Sequence, residues 1–270
     1  MLSGFHSFVQ VDAKPASLED LAPVAFSGHA HFTAIQVRNG KIRGLDLHLS
    51  RLQRASLKIF NRKISERHVL SCLRTAIKDG REDMSLMVTV YSSSGEFTPP
   101  EADAMLKLMI STAAPSNGPA GPLALKSYNY ERPLAEVKHV GEIAKTYYLR
   151  KAVQAGFDDA TFVDNKGRIS ECSIWNIAFW DGTSVIWPKA EILTGTTMSI
   201  LQRQLEKFGI QQREEEVRLE DVAGMKGAVV MNSWTPGVMV SKIDSVVLPD
   251  APEFYGLLQE AFTAEPLVFP

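Results

Sequence analysis

Three stretches of this sequence join a β-rich run through a glycine turn to a second β-rich run, and that pattern constrains the fold most. Residues 32–38, FTAIQVR, meet Asn39-Gly40, a strong hairpin signal because both residues tolerate positive φ, and residues 41–43 return. DATFVD, from Asp159, leads through Asn165-Lys166-Gly167 into RISE, and SIWNIAFW, from Ser173, leads through Asp181-Gly182 into TSVIWP. Residues 159–188 are therefore expected to be a run of short antiparallel strands. Helices interrupt the pattern. HLSRLQRASLKIF puts Leu49, Leu52, Ser56 and Ile59 at helical spacing, and Val69, Leu73, Ala76 and Ile77 repeat that spacing before Gly80. SLMVTVY and MLKLMIST predict two more strands, separated by the turn-forming SSSGEFTPP.

Residues 114–121, APSNGPAG, concentrate proline, glycine, serine and asparagine with little to bury, and they predict an interdomain linker. The expected division is an α/β domain over residues 1–118 and a β-rich domain over residues 119–270. In the latter, helices are predicted over 142–155, ending at Gly156, over 197–208, closed by Gly209, and near 253–261. EEEV and GAVVMNSW predict two strands. The class is thus α/β (α+β).

Composition removes several functions. A net charge of -2 and a pI near 6.3 give no electrostatic reason to bind nucleic acid. No run reaches the ~18 apolar residues of a membrane span, and MLSGFHSFVQVDAKPA lacks a basic segment followed by an apolar one, so a cytoplasmic protein is expected. Cys72 and Cys172 form no CxxC pair, which predicts buried reduced thiols and no zinc site.

Four segments carry residues suited to chemistry on a phosphate-bearing ligand. In LTGTTMSILQRQL, Gly195 permits close backbone approach and Thr196 and Thr197 offer N–H groups and hydroxyls at a helix start, where anions are favoured. An ordinary threonine N-cap accounts for the same segment. In HLSRL, Arg51 follows His48 by three residues, and its fork of donors suits phosphate oxygens, although a solvated surface arginine fits as well. In GRISECSIWN, Glu171 opens an apolar strand where a carboxylate needs a partner, either a ligand or a salt bridge. Two lysines precede it. Lys138 stands where an extended segment meets a helix, before Gly141, whereas Lys145 falls on the body of that helix, so Lys138 is the preferred reactive amine.

In order, HLSRL, KHVG, GRISECSIWN, LTGTT and MNSWTPGV resemble the class IV, fold type IV, pyridoxal phosphate (PLP)-dependent aminotransferases across about residues 28 to 244. Branched-chain and D-amino acid aminotransferases and aminodeoxychorismate lyases are members of this family. The resemblance implies that Lys138 carries the cofactor as a Schiff base and moves protons, that Arg51, Thr196 and Thr197 bind its phosphate, and that Glu171 bonds the pyridine nitrogen. It also puts Ser233 and Trp234 near the phosphate and the substrate carboxylate. A smaller α/β domain and a larger β-rich one, with the cofactor between them, are implied, as is a homodimer.

Departures bear on the substrate. Glu142-Ile143 stands where branched-chain enzymes carry an Asn-Tyr pair, and Met198 follows Thr197 where they tend to have arginine. Thr33 and Ala34 replace the usual sequence of the first strand, leaving His29, His31 and Arg38 as candidates for a substrate pocket, while strand packing accounts for the histidines equally. Asn232-Ser233 followed by Gly237 is nearer the lyase version of this turn. Transfer of an amino group between an amino acid and a 2-oxo acid is the expected reaction. Elimination of pyruvate is the alternative, and a homologue that binds the cofactor without catalysis is a third.

Overall fold

The computed structural model describes residues 8–93 and 105–270. The end of the SSSGEFTPP turn and the first seven residues of the amino terminus lie outside them. The described residues form two compact units, and neither is a continuous half of the chain. Residues 1–116, 137–141 and 266–270 belong to the first, and residues 117–136 and 142–265 to the second.

In the first unit, β1 (Phe8–Val11) and β2 (Lys14–Pro15) precede α1 (Leu18–Ser27), β3 (Ala30–Arg38) and β4 (Lys41–Arg43). Two helices follow, α2 (Leu45–Phe60) and α3 (Glu66–Asp79), then β5 (Met84–Ser92) and β6 (Leu106–Ala113). The sheet runs Leu267–Val268, β4, β3, β5, β6, β1, β2, with every pairing antiparallel. Asn39 and Gly40 have φ of 51° and 68°, as the hairpin between β3 and β4 requires. The apolar faces of the two long helices are buried with the sheet: Leu52, Phe60, Val69, Leu73 and Ala76 share one core with Val37, Ile42, Val88, Leu108 and Ile110. Burial on one side of each helix follows from the 3.6-residue period seen in the sequence.

β4 is only three residues long and meets β3 at Val37 and Arg38 alone. The amino-terminal half of β3 is covered on that side by residues 137–141. Phe32 N donates to Lys138 O at 2.8 Å, Val140 N donates to Ala30 O at 3.0 Å, and His31 and His139 form an antiparallel bridge. Lys138 therefore belongs to the first unit, although the sequence assigned it to the second domain.

The second unit contains β7 (Leu123–Asn129), α4 (Ile143–Gln154), β8 (Asp159–Val163), β9 (Ile169–Cys172), β10 (Asn176–Trp180) and β11 (Val185–Pro188). α5 (Thr196–Lys207), β12 (Gln212–Glu215), β13 (Gly227–Asn232), β14 (Thr235–Ile243), β15 (Val246–Val247) and α6 (Pro252–Ala264) complete it. Its sheet runs β12, β11, β10, β13, β14, β7, β8, β9, with β15 beside β14. The two expected hairpins are present, with β8 antiparallel to β9 and β10 antiparallel to β11, whereas β11 with β12, β14 with β7 and β7 with β8 are parallel. The parallel pairs arise where a helix or a long connection returns the chain to the same end of the sheet, which a hairpin cannot do. α5 and α6 bury Leu201, Leu205, Phe254 and Leu258 together with Ala178, Trp187 and Val229 of the sheet. β12 ends the sheet with the polar run QREE, its two glutamates exposed and Arg213 paired with Asp181.

Both cysteines are free and buried, and burial pushes the Cys72 thiol up to about 11. No helix among the described residues is long and apolar enough to cross a membrane.

Leu73 is 1% exposed and Leu57 is 46% exposed. Leu73→Ala is expected to lower unfolding free energy by about 2–5 kcal/mol in a urea titration, and Leu57→Ala by no more than ~0.5 kcal/mol.

Candidate active site

In the first unit, the turn of α2 that carries Arg51 faces β3. Arg51 Nη1 donates to Thr33 Oγ1 at 3.5 Å, and Thr33 Oγ1 lies 2.7 Å from His48 Nδ1. A guanidinium only donates, so the threonine oxygen accepts from it and shares a second hydrogen bond with the imidazole nitrogen. Burial, and then the charge of Arg51, hold the His48 pKa down at about 3. Arg51 itself is buried at 7% exposure, which sets it apart from a solvated surface arginine.

His31 is fully buried, hydrogen-bonded through Nε2 to Ser56 Oγ at 2.9 Å and close to the Phe60 ring. Its Nδ1 is buried without a partner, and burial lowers its pKa to about 4. Arg38 donates to Gln36 Oε1, Val37 O and Ser116 O, so its guanidinium secures the start of the linker. The Lys138 Nζ stands 4.9 Å from the centre of the Phe32 ring, on the strand that its own backbone extends.

The second unit brings together a different set. Thr196 and Thr197 begin α5, both buried, and no side chain caps this helix. The sequence allowed an ordinary threonine N-cap, but the N-cap residue is Gly195. Thr197 Oγ1 donates to Asn232 O at 2.8 Å, which ties the helix start to the turn holding Ser233 and Trp234. In that turn, Trp234 N donates to Asn232 Oδ1. Thr196 Oγ1 is buried with no hydrogen-bond partner. A Cβ on Gly195 would come within 2.0 Å of Asn176 Oδ1, so a side chain here would displace the Asn176 amide from its bond to Leu193 O. An uncapped helix amino terminus, a lone buried hydroxyl and a glycine packed against Asn176 together make a cradle suited to an anionic group. A phosphate fits it.

Glu171 is buried on β9, and Arg132 Nη1 lies 3.5 Å and Lys145 Nζ 3.8 Å from its Oε1. Arg132 Nε donates to Glu142 Oε2 at 3.0 Å, and the Tyr130 hydroxyl donates to Glu142 Oε1. Sequence reasoning missed Arg132, Asn176 and the role of Glu142. Asn176 opens β10 within a motif that was noticed, whereas Arg132 sits in a connection, NYERPLAE, with no periodic signal to mark it.

A family model for class IV amino-transferases matches residues 30–243, and the chain belongs to this family of enzymes. The cofactor of the family is PLP, and the α5 cradle fits the phosphate of such a group. A probable branched-chain-amino-acid aminotransferase of Rickettsia felis is 30% identical over 100 residues, 37% of this chain and 33% of that protein. The match thus spans a third of that relative's length. The fold is shared with the branched-chain amino acid aminotransferase of Escherichia coli, at a TM-score of 0.82 and 16% identity, over 97% of this chain and 95% of that one. A protein described as a 4-amino-4-deoxychorismate lyase from Legionella pneumophila gives 0.77 and 19%, over 91% and 94%. A hypothetical aminotransferase from Mycobacterium tuberculosis, in a PLP-bound form, gives 0.78 and 18%, over 96% and 98%.

Both buried histidines stay neutral in the fold, while an unfolded chain protonates them near 6.5. Their contribution to stability is complete above that pH and is lost as pH falls toward 4 and 3, by about 1.4 kcal/mol per unit for each ring. His48→Gln is expected to give a shallower loss of stability between pH 6.5 and pH 4, measured by urea titration at several pH values.

Proposed function

We propose that this protein is a PLP-dependent aminotransferase that moves an amino group between an amino acid and a 2-oxo acid, with Lys138 as the amine that anchors the cofactor. The observation that carries the reading is the α5 amino terminus, where Gly195 and the unpartnered Thr196 hydroxyl form a phosphate cradle. In this reading Thr196, Thr197 and Arg51 bind the phosphate. Glu171 accepts a hydrogen bond from the pyridine nitrogen, and Ser233 and Trp234 form the turn near the phosphate and the substrate carboxylate. PLP, once bound, supplies an electron sink that stabilises negative charge at the substrate α-carbon.

The remaining work falls to the chain. The Lys138 Nζ takes the proton from the substrate α-carbon and delivers it, and this requires a fraction of the amine to be neutral. The Thr33 hydroxyl and the neutral His48 ring orient the Arg51 guanidinium without adding a competing charge. His31 and Arg38 are the candidates for substrate contact in this reading, beside their bonds to Ser56 Oγ and Ser116 O. Between the two lysines, Lys145 is held at the Glu171 carboxylate, and this supports assigning the anchoring role to Lys138. A homodimer in the cytoplasm, with domains meeting near residues 118 and 119, completes the reading on the family resemblance.

The lyase alternative is favoured by the late Asn232-Ser233 turn, and a second feature weakens a branched-chain assignment. Glu142 is committed to Arg132 and Tyr130, and Ile143 is 82% exposed, where branched-chain enzymes carry Asn-Tyr. The late turn with its Asn232 side chain bonded to Trp234 N belongs to the same comparison. Purified protein with added PLP is expected to develop a visible band that is lost with an amino-acid donor, and to form product only when a 2-oxo acid is added. Pyruvate release from aminodeoxychorismate with no acceptor would establish the lyase instead. Lys138→Ala is expected to reduce turnover by about 10³-fold or more. Arg51→Ala is expected to weaken cofactor affinity by roughly 10–100-fold, the loss of charge-assisted hydrogen bonds, in a fluorescence titration.

A further inference from the structure

Lys145 is a costly residue for its position. Its side chain is 12% exposed, and it is the third residue of α4, where the helix dipole disfavours a cation. Burial lowers its pKa, the Glu171 carboxylate opposes that shift, and the Arg132 guanidinium adds to it. A lysine in such surroundings needs a reason to be there. The only acidic oxygen within ion-pairing distance of its Nζ is Glu171 Oε1, at 3.8 Å, among the described residues.

The two oxygens of Glu171 are used unequally. Oε1 faces both Lys145 and Arg132, whereas Oε2 makes no hydrogen bond or ion pair among the described residues. Arg132 is in turn fixed by Glu142, and Glu142 by the Tyr130 hydroxyl. The carboxylate therefore has one oxygen held by the protein and one left to a ligand.

We propose that Lys145 is a positioning residue for Glu171: together with Arg132 it fixes Oε1, turns Oε2 to the pyridine nitrogen of the cofactor, and sets how strongly that carboxylate favours a protonated ring. The proposal rests on the assignment of Glu171 as the pyridine partner. Lys145 acts through Glu171 and touches neither substrate nor cofactor. The other groups around it are accounted for. From the connection before α4 come Arg132 and Tyr130, whose hydroxyl burial and Glu142 push upward, and Glu142 precedes the helix. From β8 comes Asp159, raised by burial but bonded by Ala160 N and Trp175 Nε1. From β9 comes Cys172, whose thiol burial keeps protonated. If the three carboxylates and two cations are all charged, one negative charge remains uncompensated, which a protonated ring nitrogen would balance. Loss of Lys145 would double that excess.

The test uses the full chain with bound PLP and follows the cofactor's visible band against pH in the wild type, Lys145→Met and Lys145→Arg. Removing a cation at this range favours the protonated chromophore, so Lys145→Met is expected to move the titration midpoint upward by about one pH unit. Lys145→Arg, which restores the charge, is expected to return the midpoint close to that of the wild type. Lys145→Gln replaces Lys145→Met if the latter does not fold. A midpoint unmoved in the methionine or glutamine variant, even with lower thermal stability, would make Lys145 merely structural and overturn the proposal. A wild-type protein that shows no band with PLP would instead defeat the functional reading on which it rests.

Discussion

The backbone hydrogen bonds between β3 and residues 137–141 are the constraint on which the rest depends. β3 is nine residues long and β4 only three, so most of one edge of β3 would expose unpaired N–H and C=O groups. A segment lying about a hundred residues later in the chain satisfies them, with bonds from Phe32 N and to Ala30 O. Lys138 is thereby placed by main-chain geometry. The chain must leave the second unit to make this contact and return to it at once, with Glu142 as the first residue back. Glu142 is then held by Tyr130 and Arg132, which directly precede the excursion. One strand pairing thus fixes the backbone at Lys138, and the Glu142 contacts hold the point at which the chain returns.

Much of this was visible in the sequence where local physics decides. The Asn39-Gly40 hairpin was legible because two positive φ values demand those residue types. α2, α3 and α5 were legible because each buries a stripe at helical spacing. α1 was not, since Pro23 lies inside it and Leu18 and Phe26 face outward, leaving a Ser17–Asp20 capping box as its one clear mark. β7 was hidden because a short run after a proline-rich linker has no turn to pair it locally, and its partners are β8 and β14.

Site residues followed the same division. Arg51, Glu171 and Thr196 lie on strongly patterned elements, and the sequence pointed to them. Arg132 could not be found that way, because its significance comes from a carboxylate 39 residues later and no spacing rule encodes that distance. His31 illustrates the converse. Its residue type suggested chemistry, but its burial against Ser56 and Phe60 is a packing fact that only the tertiary structure holds.

β12 has a different significance. Its sequence, QREE, ends the second sheet, and charged side chains on such a strand, Arg213 and two exposed glutamates, discourage another chain from adding itself along the edge. Edge-to-edge growth into larger aggregates is thereby resisted at the place where a nine-stranded sheet is most open to it. The polar strand thus makes the β12 margin a poor place for strand-to-strand pairing between copies of this protein.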